Sequence, residues 1–143
     1  MRCVDVNVLV YAHRRGAPDH ARYHEWLEYA RAADEPLGLS DVVLSGFIRV
    51  VTHPRIFAEP SPIEDALGFV DVLRAGPNAL TVAPGRRHWD IFTRLCVKAE
   101  ARGNLVPDAY LAALAIEHGA TLYSADRGFT RFADLRWRHP LDE

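Results

Sequence analysis

The sequence predicts an α/β domain with a mainly parallel central sheet, and three observations carry that prediction. Short apolar runs suited to strands alternate with longer stretches whose apolar residues recur at helical spacing. Glycine and proline mark the junctions, and no repeat, linker or low-complexity segment interrupts the chain, so residues 1–143 read as a single domain. Asp5, Asp108 and Asp126 fall at strand or helix ends, where parallel α/β units place their ligand crevices.

The 143 residues are 49% hydrophobic and 25% charged, an ordinary globular balance. A formal net charge of −2 gives no global attraction for nucleic acid or anionic lipid, so any such binding needs a local patch or a bound cation. Cys3 and Cys96 form neither a disulfide framework nor a zinc cluster and are expected to be buried thiols. Asp5 interrupts the first apolar run, which argues against a leader peptide, and no run approaches the roughly 20 apolar residues of a membrane span. A cytoplasmic location without membrane contact is the expectation.

Taken in order, residues 2–5 read as a short buried strand ending at Asp5. Asn7 opens a helical turn over Val8–Ala12, which Arg14-Arg15-Gly16-Ala17-Pro18 breaks. Asp19 is the expected N-cap of the next helix, with Tyr23, Trp26, Leu27 and Ala30 on one face. Leu37-Gly38-Leu39 is a strand. Ser40 caps a third helix whose apolar positions are Leu44, Phe47, Ile48 and Val51. Thr52-His53-Pro54 closes it, since the residue before proline resists the α region. Ser61-Pro62-Ile63-Glu64 has the form of a capping box, and Ile63, Ala66, Leu67, Val70 and Leu73 make the stripe that follows. A strand over Asn78–Val82 precedes a helix carrying Trp89, Phe92, Leu95, Cys96 and Ala99, expected to stop near Gly103. A helix from Pro107, a glycine stop at Gly119, a strand around Thr121–Ser124, a turn over Gly128–Phe132 and a strand near Leu135–Arg138 complete the chain.

Each acid has a bland role. Asp5 can cap the turn at Asn7, Asp108 suits the first turn of a helix through the macrodipole, and Asp126 can cap the turn after it. Together they sit at equivalent topological positions. Clustered carboxylates repel one another unless a cation lies among them, and all-oxygen ligands select Mg²⁺, or Mn²⁺, over zinc. Such an ion orients or activates water for attack on a phosphodiester. Ser124, two residues before Asp126, offers a hydroxyl that can orient a carboxylate. The rival enzyme class is a phosphohydrolase with Asp5 as nucleophile, for which no lysine is suitably placed.

At these residues the chain resembles the PIN-domain ribonucleases, specifically the VapC toxins of the mycobacterial branch. The matching segments are residues 4–12, Phe47-Ile48-Arg49-Val50-Val51-Thr52-His53-Pro54-Arg55-Ile56-Phe57, and residues 103–129 from Gly103 to Phe129. The resemblance implies a three-layer α/β/α sandwich, Mg²⁺-dependent endonucleolytic cleavage of RNA, and neutralisation by a VapB-like antitoxin in a type II toxin–antitoxin system. A homodimer is implied as common in the family. Asp5, Asp108 and Asp126 match its acids, and Asn7 and Ser124 match the polar residues that support them.

One feature departs from that pattern. The family usually carries a glutamate on the third helix, where this chain has Val42-Val43-Leu44-Ser45-Gly46-Phe47, with Val43 or Gly46 at the corresponding position. Asp41 is the nearest acid and the candidate to reach the metal directly or through water, but it stands at the helix start, where capping explains it comfortably. A catalytically weakened module that binds RNA or antitoxin without cutting is therefore the alternative. RNA approaching acids needs cations at the rim. Arg14, Arg15 and Arg127 are the leading candidates because each follows a site acid, ahead of Arg49, Arg55 and Arg86-Arg87-His88. Trp26 and Trp89 are expected in the core; Trp137, between Arg136 and Arg138, suits either setting.

Overall fold

The computed structural model describes residues 1–142. The elements run β1 (Arg2–Val4), α1 (Val6–His13), α2 (His20–Ala32), β2 (Leu37–Leu39), α3 (Asp41–Val51), α4 (Ile63–Arg74), β3 (Ala79–Thr81), α5 (His88–Lys98), α6 (Leu105–Glu117), β4 (Thr121–Tyr123) and β5 (Trp137–Arg138). Short 3₁₀ turns cover Arg127–Arg131 and Pro140–Asp142. The strands form one sheet in the order β3-β2-β1-β4-β5, and every pair is parallel. All three residues of β2 are buried. Because successive side chains point to opposite faces, both faces of the sheet are covered, as a parallel sheet between helices requires. The edge strands β3 and β5 are the more exposed ones. No helix among the described residues is long and apolar enough to cross a membrane.

The order places a topological switch between β1 and β4. The chain builds outward from β1 through β2 to β3, then returns to the other side of β1 for β4 and β5. In such sheets the crevice lies beyond the carboxyl ends of the two central strands. Val4 pairs with Tyr123, so the residues that follow, Asp5 and Ser124, meet there. Helix α6 enters β4 through Gly119, which takes φ 63°. The Gly119 amide bonds to Ile116 (3.1 Å) and Ala120 to Ala115 (2.9 Å), a left-handed helix end that favours glycine. Because α6 must run antiparallel to the strand it feeds, its first turn, with Asp108, stands at the same carboxyl edge.

Several sequence expectations shift locally. Helix α5 ends at Lys98, not near Gly103: Glu100 adopts φ 48°, and its amide and that of Ala101 bond to Val97 and Cys96. The core face of α5 is His88, Ile91 and Leu95, a rotation that leaves Trp89 65% exposed instead of buried. In α4 the buried residues are Ala66, Val70 and Leu73, while Ile63 and Leu67 are exposed. Ser61 does not cap α4. Its hydroxyl is engaged by His13 Nε2 (3.1 Å) and Arg14 Nη1 (3.2 Å), which tie the loop after α3 to the end of α1. Asp19 stands at the start of α2 in a left-handed conformation and makes no side-chain cap bond. Trp26 is in the core, against Tyr123. Cys3 is buried, and burial pushes its thiol up to about 11, whereas Cys96 is only partly buried.

One side chain closes the gap between α2 and β2. Asn78 Nδ2 shares its two hydrogens among the carbonyls of Ala30 (2.8 Å), Ala33 (3.0 Å) and Glu35 (2.9 Å), satisfying one oxygen that the end of α2 leaves without an intrahelical partner and tying it to the loop that follows. Asn78→Ala should lower unfolding free energy by about 1–3 kcal/mol, because buried acceptors lose their donor. Urea denaturation checks this, and a loss below 0.5 kcal/mol, roughly the level of an inert surface change, contradicts it.

Candidate functional site

The site is built on a hydrogen-bonded knot between the loops after β1 and β4. Asp5 has extended backbone geometry at the N-cap of α1, and its Oδ1 accepts from the Val6 amide at 2.7 Å. Its Oδ2 accepts from Ser124 Oγ at 2.7 Å and from Asn7 Nδ2 at 3.2 Å. Asn7 also donates to Ser124 Oγ (3.2 Å), and its Oδ1 accepts from the Ala125 amide (3.1 Å). Ser124, wholly buried, accepts from the Asp126 amide at 3.0 Å. The capping role and the site role of Asp5 are therefore filled by the same carboxylate. Three residues, Val6, Asn7 and Ser124, from two distant stretches hold its orientation.

Asp108 is different. It lies half-buried in the first turn of α6 and makes no hydrogen bond or ion pair with any described residue. It shares a cavity of about 420 Å³ with Asp5. Loss of solvent, then the negative charges of Asp5 and Asp126, push its carboxyl up to about 6, against a smaller opposing pull from Arg131. Burial also raises Asp5, opposed by the bonds from Ser124 and Val6. Asp126 is exposed, and its Oδ1 accepts from the Gly128 amide at 2.8 Å, capping the turn that follows. Among the described residues no three His, Cys, Asp or Glu side chains converge closely enough to hold an ion as they stand. Asp5 and Asp108 face one cavity; drawing Asp126 into a three-acid set requires its side chain to turn from Gly128.

The third helix presents valine here. Val42 and Val43 line the cavity of Asp5 and Asp108. A Cβ on Gly46 would stand 3.0 Å from Val6 Cγ2, so that position packs against α1. Asp41 opens instead onto a separate depression with Asp71 and Arg74, away from the other acids.

The expected cations are also placed elsewhere. Arg14 donates to the Glu59 carbonyl (2.8 Å) and to Ser61, with its guanidinium 3.9 Å from the Phe57 ring centroid. It is a strut for the loop after α3. Arg15 shares a depression with Glu59, Glu64 and Asp65. Arg127 pairs with Asp142 at 3.1 Å and lies 5.8 Å from the Trp137 ring. The cation whose field reaches Asp108 is Arg131. Nearness in sequence to an acid favoured Arg127; the 3₁₀ turn that carries Arg131 back, with Nε on the Gly128 carbonyl at 2.8 Å, was the signal missed. Phe92 and Tyr110 also line the cavity, and in sequence nothing beyond their place on helices marks them.

A raised carboxyl binds a proton that the unfolded chain has already released, so Asp108 withdraws stability as pH climbs from about 4 to about 6. Solvent screening of this half-buried group limits the size of the effect. In EDTA above pH 6, Asp108→Asn should therefore melt at a higher temperature than the parent, with the difference vanishing below pH 4. Thermal melts across pH check this; an Asp108→Asn protein that melts lower at pH 7 contradicts it.

Comparison with known proteins follows the same lines. Residues 2–135 match the PIN domain family model. The chain is 57% identical over 142 residues to ribonuclease VapC43 of Mycobacterium tuberculosis, covering 99% of this chain and 97% of the relative. It is 43% identical to ribonuclease VapC25 of the same organism, covering 98% and 99%. Among solved structures, VapBC2 from Rickettsia felis, bound to a DNA fragment from the promoter, matches with TM-score 0.72 at 20% identity, over 96% of this chain and 97% of that one. M. tuberculosis VapC20, a sarcin–ricin loop cleaving toxin, matches with TM-score 0.68 at 15% identity, over 95% and 99%. At those identities the structures speak for the fold. With the family match over nearly the whole chain and the sequence identity to VapC ribonucleases, the protein belongs to the PIN-domain family, among its VapC members.

Proposed function

We propose that this chain is a Mg²⁺-dependent endoribonuclease, Mn²⁺ serving as an alternative ion, and the toxin of a type II pair neutralised by a VapB-like antitoxin. The observation that carries the reading is the shared cavity of Asp5 and Asp108 at the carboxyl edge of the central strands. The relatives named as ribonucleases cover the chain end to end and support the same conclusion.

The donor chemistry fits a hard cation. Every polar side chain of the knot ends in oxygen except the amide of Asn7. Asp5 Oδ1 accepts a single bond, leaving it a lone pair for an ion, while Oδ2 accepts two. Asp108 keeps both oxygens free of described partners, and the repulsion that raises its carboxyl is what a cation would relieve. Asp5, Asp108 and Asp126 would hold the ion. When bound, it supplies an activated water and stabilises charge on the phosphodiester. The chain's own part is to fix Asp5 through Ser124 and Asn7 and to keep Asp108 poised within a largely apolar cavity. Arg131 offers positive charge for the approaching phosphate.

The second reading, a module that binds RNA or antitoxin without cutting, draws on the valines of α3 at the cavity wall. Fewer carboxylates mean weaker ion binding. The two readings separate in a Mg²⁺ titration over an RNA pool, with and without EDTA. Metal-dependent cuts are expected; binding without cuts supports the module.

Asp5→Asn and Asp108→Ala should each lower cleavage at least about a hundredfold and abolish growth inhibition on expression, with folding retained by circular dichroism. Asn preserves the acceptor that caps α1, so it is the better test at position 5. Undiminished cleavage by folded Asp5→Asn protein overturns the assignment. Val42→Glu, at an exposed site on the cavity wall, should reduce the Mg²⁺ needed for half-maximal cleavage severalfold.

A further inference from the structure

The cavity beside the acids has a second character. Besides Asp5 and Asp108, its walls are apolar: Val42, Phe92, Val106, Pro107, Tyr110 and Leu111 among them, with no cationic side chain. The rings of Phe92 and Tyr110 stand 5.6 Å apart at 70°, and Trp89, 65% exposed on the same helix as Phe92, lies 5.4 Å from it. The Tyr110 hydroxyl bonds to no described residue.

We propose that this wall is a stacking subsite for one unpaired nucleobase adjoining the bond to be cut, with Phe92 and Tyr110 contacting the base and Trp89 extending the aromatic surface. The proposal rests on the nuclease reading above. A phosphodiester at Asp5 and Asp108 has a base within one nucleotide on either side, and this wall is what that base meets. The absence of cations makes the pocket poor for a second phosphate, whereas every base has a π face that aromatic side chains accept. A base inside a duplex cannot reach the wall without leaving its stack, so the subsite would favour loops and single strands. An extended peptide is the poorer occupant. It would carry amides and carbonyls into walls that offer the two carboxylates and the Tyr110 hydroxyl as polar partners, leaving the rest unsatisfied.

The test uses protein carrying Asp108→Asn, so that RNA is held uncut, and two probes: oligoadenylate and an abasic ribose–phosphate chain of the same length. The base-bearing chain should bind about tenfold more tightly, the order of what stacking one base on aromatic side chains contributes. Binding should also change tryptophan emission, and Trp89→Phe should remove that change. Phe92→Leu and Tyr110→Leu, which keep apolar volume, should erase most of the preference, while Tyr110→Phe should keep it. Equal binding of the two probes overturns the proposal and needs no further variant. So does a preference that survives folded Phe92→Leu and Tyr110→Leu proteins. Loss of antitoxin binding in those variants with base preference intact makes the wall a peptide groove instead. The nuclease reading is checked separately, by Mg²⁺-dependent cleavage in the parent. Base preference without cleavage sinks that reading and leaves the subsite standing.

Discussion

The parallel pairing of β1 with β4 is the constraint on which the site depends. It brings Asp5 beside Ser124, residues 119 positions apart, and the bond between them is 2.7 Å long. Without that pairing Asp5 would be an N-cap and nothing more. With it, the loops after two strands become one rigid polar unit, because Asn7 reaches across to the Ala125 amide and Ser124 accepts from the Asp126 amide. The rest of the sheet supports this arrangement from outside. β2 and β3 extend it on one side and β5 on the other, so the central pair is buried on both faces and neither strand is an edge.

A tension is built into the result. The polar unit fixes one carboxylate with three hydrogen bonds, while a second, Asp108, faces the same cavity with none. Ordinary packing would discard such a group or pair it. Its retention among valine, phenylalanine and tyrosine walls, at a helix start whose dipole favours negative charge, is economical only if something else shares the space. Helix α6 supplies the rigidity for this. Five consecutive residues, Leu111 to Ala115, are buried, so the helix has little freedom to swing Asp108 away.

Much of this was legible in the sequence, and the part that was not has a physical cause. Strand and helix order followed from periodicity and punctuation, and Leu37–Leu39 matched to the residue. The common edge of Asp5 and Asp108 was legible because strand ends and helix starts in a parallel fold meet there, whereas Asp126 caps its own turn outside their cavity. What failed were inferences from neighbours along the chain. Trp89 resembled a core residue because Phe92, Leu95, Cys96 and Ala99 recur after it at helical spacing, yet a rotation set by His88, Ile91 and Leu95 turned it outward. Ser61 had the local form of a cap, but His13 and Arg14, 48 and 47 positions away, claimed its hydroxyl. Arg127 follows Asp126 directly in sequence, yet the charge that reaches Asp108 is that of Arg131, four residues on, which nothing in its own neighbourhood singles out. Tertiary competition for a polar group is not written in its own neighbourhood.

The two thiols fare unequally in this fold, and the difference bears on the protein's redox chemistry. Cys3 lies in β1 under Gly38, where even an added Cβ would come within 2.9 Å of the sulfur, and its thiol is pushed up to about 11. Thiolate is the reactive form, so Cys3 is shielded from oxidants and alkylating reagents both by packing and by protonation. Cys96, on α5, is only partly buried and so remains within reach of solvent. A single maleimide should therefore enter the native chain at Cys96 alone, on the helix that bears Trp89 and Phe92. The protein thus carries its own attachment point for a spectroscopic reporter, one that leaves the first strand untouched.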